Sequence, residues 1–218
     1  MTSLETFVQD FAVELVGCPR PLMERTARDG LRDLCERLRF LRQGEIVISV
    51  VGDEAAYSLT LPTGYDLVGI TRVDVGDVNS GRSLEVTSES GLAQQYGITW
   101  KSMRGAIPTS VYVDSSKRLV VFPRPSADFD QDLIIEAAVK PALTVTSVDD
   151  ILYTDYHQAV ADYCRWRLMA IPGQPWSNEK LAAYYQLEYE RAVTTAQARL
   201  LKNFSGRPLR VKPRSFLY

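Results

Sequence analysis

Residues 154–203, TDYHQAVADYCRWRLMAIPGQPWSNEKLAAYYQLEYERAVTTAQARLLKN, are predicted to form two long helices joined by a sharp turn. The first helix is expected over about 155–170, where apolar residues recur at three- and four-residue spacing: Tyr156, Ala159, Val160, Tyr163, Trp166 and Ala170. The segment 171–176, IPGQPW, ends this helix because proline cannot continue it and glycine permits the reversal.

The second helix is predicted to start after Ser177, a good N-cap, and to run to about Asn203. Its apolar stripe is expected to contain Leu181, Tyr185, Ala192, Ala196 and Leu200. Two such helices carry more apolar surface than they can bury against each other. The rest of the chain, or other copies of the chain, must therefore cover them.

The beginning of the chain predicts two further helices. Residues 2–16 have an amphipathic pattern, and a second helix is expected to continue to about Gln43, with Gly44 as its stop. The middle of the chain changes period: short runs rich in Val, Ile, Leu and Tyr alternate with turn residues, which indicates strands. Residues 83–108 contain several glycines and are predicted to form a long excursion or loop.

These patterns predict an α+β fold in which a helical bundle carries an inserted β domain. The bundle is expected to comprise residues 1–44 and 150–204, with two N-terminal and two long C-terminal helices. Residues 45–149 are predicted to form an antiparallel sandwich or small barrel, because no helix of useful length separates the strands. Residues 205–218 are expected to form an extended C-terminal arm.

The arm differs in composition from the rest of the chain. Residues 204–218 contain no acidic residue, and two prolines and a glycine forbid a continued helix. Basic and apolar side chains are interleaved in it: Arg207, Leu209, Arg210, Val211, Lys212, Arg214, Phe216, Leu217 and Tyr218. Terminal disorder and an arm that docks on another protein remain equal alternatives at this point.

Composition and charge exclude several classes of protein. The formal net charge of −2 argues against a general nucleic-acid or membrane-surface binder. The three cysteines, Cys18, Cys35 and Cys164, form no CxxC pair and indicate buried thiols in a reducing compartment. We expect no signal peptide, and no apolar stretch reaches the about 18 residues that a membrane span needs.

The sequence contains few residues in patterns typical of catalytic or metal-binding sites. His157 is the one histidine, and a lone helical histidine is more often a packing residue than a catalyst. No phosphate-binding glycine loop or nucleophile elbow is present. The alternating acids Asp128, Asp130 and Asp132 lack the glycine and the distal glutamate of a calcium loop. We therefore predict no catalytic residue, no metal site and no cofactor.

The order of these parts resembles the head-to-tail adaptor (connector) proteins of tailed bacteriophages. Four groups of residues, spanning roughly 4–204, carry the resemblance. The first is the N-terminal helix pair, with Cys18-Pro19 between the helices and Ala27-x-x-x-Leu31-Arg32-Asp33-Leu34-Cys35-Glu36-Arg37 in the second helix; the second is the run Tyr57-x-Leu59-x-Leu61-Pro62-x-Gly64-Tyr65. The third is Pro108-x-x-x-Tyr112, followed by Leu119–Pro125 and Val139-Lys140-Pro141. The fourth is the IPGQPW turn between the long helices. The chain departs from the family at residues 161–164, where the family usually carries Gly-Ala.

The resemblance implies a structural virion protein of the neck, between capsid and tail, made in the host cytoplasm. It implies a ring of twelve copies beneath the portal protein, which meets a tail or nozzle protein and continues the channel through which double-stranded DNA passes without specific binding. The arm residues would then bind the portal. Subunit contacts are expected at the aromatic residues of the long helices: Tyr163, Trp166, Trp176, Tyr185 and Tyr189.

Two alternatives remain open. One is another ring component of the neck or tail, such as a tail terminator or tail-tube protein, which would not need the arm. The other is a metal-dependent hydrolase with a carboxylate site near Asp128, Asp130, Asp132 and Asp149.

Overall fold

The structure is a computed structural model, and it describes residues 1–76, 82–126 and 128–201. The described helices are α1 Leu4–Ala12, α2 Arg20–Leu38, α3 Glu89–Tyr96, α4 Asp150–Met169 and α5 Glu179–Leu201. The strands are β1 Thr2–Ser3, β2 Arg42–Ser49, β3 Ala56–Ser58, β4 Tyr65–Val75, β5 Arg82–Ser83, β6 Glu85–Val86, β7 Arg104–Gly105, β8 Ser110–Val113, β9 Arg118–Phe122, β10 Arg124–Pro125, β11 Asp132–Pro141 and β12 Ser147–Val148. The predicted α+β class is confirmed.

The chain divides into two compact units, residues 1–40 together with 146–218, and residues 41–145. The first unit contains α1, α2, α4 and α5, with the short β1–β12 pair beside the start of α1. Its core is built from one apolar face of each helix and includes Phe7, Phe11, Leu31, Leu34, Val160, Cys164, Leu168 and Val193. This unit is therefore a helical bundle.

Helices α2 and α4 approach closely at Gly30. A Cβ atom placed on Gly30 would lie 2.7 Å from Cδ1 of Tyr163, closer than real Cβ contacts come. Glycine in a helix interior costs roughly 0.5–1 kcal/mol relative to alanine. The ring of Tyr163 occupies the space that this missing side chain leaves.

The ends of the helices differ in part from the predictions. Asp149 caps α4, since its Oδ1 accepts from the N–H of Ile151 at 3.2 Å. At the start of α5, Asn178 accepts from the N–H of Leu181 at 3.2 Å, so the assignment of the N-cap to Ser177 was wrong. The predicted end of α2 was also wrong, because Arg39, at φ 49°, ends the helix and β2 begins at Arg42.

The second unit contains two four-stranded sheets. One has the antiparallel order β2-β11-β4-β5, and the other has the order β3-β9-β8-β6. The sheets share a core that includes Val73, Leu133 and Ile135 from the first sheet and Val111, Leu119 and Val121 from the second. Among the described strands no closed barrel forms, which excludes the barrel alternative. The pairs β6–β8 and β7–β10 are parallel, which corrects the expectation of a purely antiparallel domain.

Residues 83–108 were predicted to form a long excursion or loop, but they contain regular secondary structure. They contain β5 to β7, helix α3 and a 3-10 helix over Ile98–Ser102. Trp100 anchors this segment in a separate small core with Leu92, Tyr112 and Phe122. The helical pattern of α3 is weak because Leu92 is its one buried residue, so its stability depends on contacts from distant strands.

Candidate subunit interface

Three aromatic rings of α4 and α5 form a cluster inside the helical unit. The ring centroids of Tyr163 and Tyr189 lie 5.2 Å apart, and that of Trp166 lies 5.6 Å from Tyr163. Both contacts are edge-to-face, the arrangement that aromatic quadrupoles favour. The cluster therefore joins α4 to α5.

Tyr189 is fully buried within its own chain. Its hydroxyl donates to Oδ2 of Asp33 at 2.5 Å, and Arg37 of α2 lies over its ring at 5.5 Å from the centroid. Burial, together with the bond to Asp33, raises the pKa of Tyr189 well above its ordinary value, so the hydroxyl remains a donor. Arg37 also forms ion pairs with Asp33, at 2.9 Å, and with Glu190, at 2.8 Å.

The other predicted interface residues are half-buried. Tyr163 and Trp166 belong to the cluster, and Tyr185 donates to Oε2 of Glu14 at 2.9 Å. Trp176 lies against the turn after α1, where a Cβ on Gly17 would be 3.9 Å from its ring. The five residues are therefore spread over more than one face of the unit, and Tyr189 presents no surface to another copy.

A different set of apolar residues lies on the surface of α5. Leu181, Tyr184 and Leu187 are exposed by 42%, 54% and 60% and recur at three-residue spacing. The buried face of α5 contains Ala182, Tyr189, Val193 and Ala196. Of the predicted apolar stripe, Ala196 is therefore buried, whereas Leu181 lies on the surface. We call Leu181, Tyr184 and Leu187 the outer stripe of α5. The sequence signal for the outer stripe was its three-residue spacing, but apolar residues also recur on the buried face of α5, so the spacing did not show which face is exposed.

Arg165 is a buried charge that connects three helices. Its guanidinium pairs with Asp162 at 3.0 Å, with Glu14 at 2.8 Å, and donates to the carbonyl oxygen of Asp10 at 2.9 Å. The group also lies 5.2 Å from the ring centroid of Tyr185 on α5. Burial raises the pKa of Asp162, while Arg165 opposes this shift. This network fixes the C-terminal end of α1 on α4.

The described residues that could have carried chemistry are placed as follows. No group of three or more His, Cys, Asp or Glu side chains is placed to hold a metal ion in this part of the chain. His157 contacts the carbonyl oxygen of Tyr153 at 3.0 Å through Nδ1 and packs on the Tyr153 ring, as a packing residue does. Burial raises the pKa of the Cys164 thiol well above its ordinary value, which disfavours the nucleophilic thiolate.

The predicted portal-binding residues lie outside the described residues: Arg207, Leu209, Arg210, Val211, Lys212, Arg214, Phe216, Leu217 and Tyr218.

No helix in the described ranges combines the length and the apolar character needed to cross a bilayer.

The described residues form a helical bundle, which has an exposed apolar stripe on α5, and a unit of two sheets. The model of one family, the SU10 adaptor proteins, matches residues 2–212. The chain belongs to the SU10 adaptor protein family. It is therefore a structural adaptor protein of a bacteriophage, which confirms the family resemblance of the sequence. A comparison with curated proteins gives no match.

Replacing Arg165 with Met should destabilise the protein by about 3–5 kcal/mol, because Asp162 would remain buried without its cation. The matched control is Arg191→Met, which removes an exposed pair with Glu188 and should cost about 0–1 kcal/mol. Thermal unfolding followed by circular dichroism measures both. Equal melting temperatures for the two variants would contradict the role of Arg165.

Proposed function

We propose that the protein forms a ring of twelve copies beneath the portal of the phage and joins the capsid to a tail or nozzle protein. Membership of the SU10 adaptor family is the observation that carries this proposal. The protein acts by assembly and not by catalysis, and it requires no cofactor. The ring continues the channel for double-stranded DNA in the neck of the virion. A net charge of −2 suits a wall that DNA passes without being held.

The outer stripe of α5 is the surface that we assign to contacts between copies. Its three exposed apolar side chains lie on one helix face, where a neighbouring copy would remove them from water. Tyr163, Trp166, Trp176 and Tyr185 are half-buried on other faces of the unit, and their exposed parts are further candidates for contacts between copies. The buried Tyr189 supports the helix from inside. A ring needs a heterologous contact, in which the stripe of one copy meets a different surface of the next.

The arm is the segment that we assign to the portal. Its four basic residues are interleaved with apolar and aromatic side chains, a composition suited to an acidic, partly apolar groove or sheet edge on another protein. A tail terminator or tail-tube protein would form a ring without this segment. Portal binding through the arm therefore separates the adaptor function from its closest alternative.

Removing residues 205–218 should leave the protein folded, as circular dichroism would show, and abolish its attachment to portal-bearing heads. The reason is that the bundle core is built from α1, α2, α4 and α5, all of which precede the arm. Co-sedimentation with heads that lack a neck measures attachment. A full-length control in which Arg207, Arg210, Lys212 and Arg214 are replaced by Glu should behave like the truncation. Truncated protein that still completes the neck would refute the assignment.

Replacing Leu187 with Asp should prevent ring formation without unfolding the monomer, since the side chain is 60% exposed. Full burial of a leucine contributes roughly 1.5–3 kcal/mol, so each subunit contact should weaken by about 10- to 100-fold. The control is Gln186→Asp, which adds the same charge at an exposed polar position of the same helix. Electron microscopy of portal complexes counts the rings. Normal rings from Leu187→Asp would show that the outer stripe lies elsewhere in the assembly.

A further inference from the structure

Strand β2 is the longest edge strand of the β unit. It has eight residues and lies at one end of its sheet, where it pairs with β11. The other edge strands of the two described sheets are short, since β5 and β6 have two residues each and β3 has three. Short edge strands present few unpaired backbone groups to another chain. Among the described strands, β2 therefore offers the largest template for an added strand.

The second half of β2 lacks the features that normally protect an edge. Residues 46–51 read IVISVV and contain neither a charged residue nor a proline. The irregularity in the register between β2 and β11 lies before this run, where Glu45 has φ 59°. An uncharged run of six β-forming residues on an edge readily pairs with another chain. We therefore expect a partner to cover this edge.

Two residues of the run direct their backbone groups away from β11. The N–H of Val50 donates to the carbonyl oxygen of Gln131 at 3.4 Å, so the backbone groups of Val50 face β11. Backbone groups alternate in direction along an antiparallel strand, which turns those of Val47 and Ser49 to the open side. Each of these two residues offers one N–H donor and one carbonyl acceptor to an added strand.

The inner face of the sheet is apolar and incomplete at this edge. Ile46 and Ile48 pack against the core that the two sheets share, but they are only partly buried. Their partners on β11, Ile135 and Leu133, are fully buried. Apolar side chains on the inner face of an added strand would cover the exposed parts of both isoleucines. The added strand should therefore carry an apolar residue at every second position.

The outer face of the sheet carries an acidic recess beside the same edge. Its volume is about 480 Å³, and it is lined by Val47, Gly76, Gln131, Asp132 and Ile134. None of these described residues is a cation, and the exposed Asp132 lies opposite Ser49. An added strand would lie two strand spacings, about 10 Å, from β11. A lysine or arginine on that strand can reach over the small Ser49 toward Asp132.

We propose that β2 binds an extended segment of another protein in which apolar residues alternate with lysine or arginine. The apolar side chains cover Ile46 and Ile48, and the cations bind Asp132 from the outer face. Their aliphatic stems lie along Val47, which is 57% exposed. Main-chain hydrogen bonds to β2 supply affinity, and the alternating side chains supply specificity.

A second copy of β2 does not have this chemistry. Residues 46–51 contain no basic residue, so a paired β2 would bring no cation to Asp132. It would instead add a second Asp132 carboxylate to the outer face of the joined sheet. The edge is therefore assigned to a partner of different sequence. This inference goes beyond the proposed function and does not rest on the portal or on the ring.

Peptide binding to the full-length protein tests this proposal. The probe is a fluorescein-labelled six-residue peptide that alternates valine and arginine, and fluorescence anisotropy measures its affinity. One control peptide carries methyl groups on the backbone nitrogens of its arginines, the donors that would face β2. Another control replaces arginine with glutamate. We expect each control to bind at least tenfold more weakly, because the first loses the ladder and the second is repelled by Asp132.

Variants of the edge identify the binding site. Val47→Lys adds a repelling charge and should weaken binding of the arginine peptide at least tenfold, whereas Val13→Lys, at a position exposed by 84%, should not change it. Ser49→Pro removes an outward N–H and should act like Val47→Lys, and Ser49→Ala keeps that N–H and should bind normally. Asp132→Lys should reverse the preference, so that the glutamate peptide binds more tightly than the arginine peptide.

Three results would overturn the proposal. They are no binding of the arginine peptide at millimolar concentration, equal binding of the methylated peptide, and unchanged binding by Val47→Lys. Dimerisation of the unmodified protein that Ser49→Pro abolishes would assign the edge to a second copy, and would contradict the proposal as well. The assay contains no portal, so a failure of the proposed function cannot produce any of these results.

Discussion

The guanidinium of Arg165 is the interaction on which the helical unit depends. It is buried, and a buried cation is stable only when carboxylates and carbonyl oxygens surround it. Asp162 on its own helix, Glu14 and the carbonyl oxygen of Asp10 supply them. Since Tyr185 packs against the same cation, the network also fixes the rotation of α5. That rotation places Tyr189 inside and leaves Leu187 at the surface.

Much of the fold could be predicted from the sequence. The three- and four-residue spacing after Asp149 and the IPGQPW turn indicated the paired helices, and the short β-rich runs indicated the inserted strands. The end of α2 could not be predicted because Arg39, rather than a glycine, adopts the left-handed conformation. The elements within residues 83–108 could not be predicted, because α3 is stabilised by the distant Tyr112 and Phe122 and not by a strong pattern of its own.

The subunit contacts predicted at Tyr185 and Tyr189 of α5 stay predictions. Both faces of the helix carry apolar side chains, so spacing alone could not distinguish the buried Tyr189 from the exposed Leu187. Tertiary contacts make that distinction: Gly30 of α2 leaves space for Tyr163, and Tyr163 in turn packs on Tyr189. The open edge of β2 was likewise invisible in the sequence, because strand order within a sheet is not encoded in a local pattern.

The central proposal for this adaptor is that it assembles only when its partner is present. The molar mass of the purified protein, measured by light scattering alone and after mixing with portal assemblies, tests this claim most directly. The account predicts a monomer alone and a ring on the portal. A small stable oligomer whose mass does not change when portal is added would contradict it.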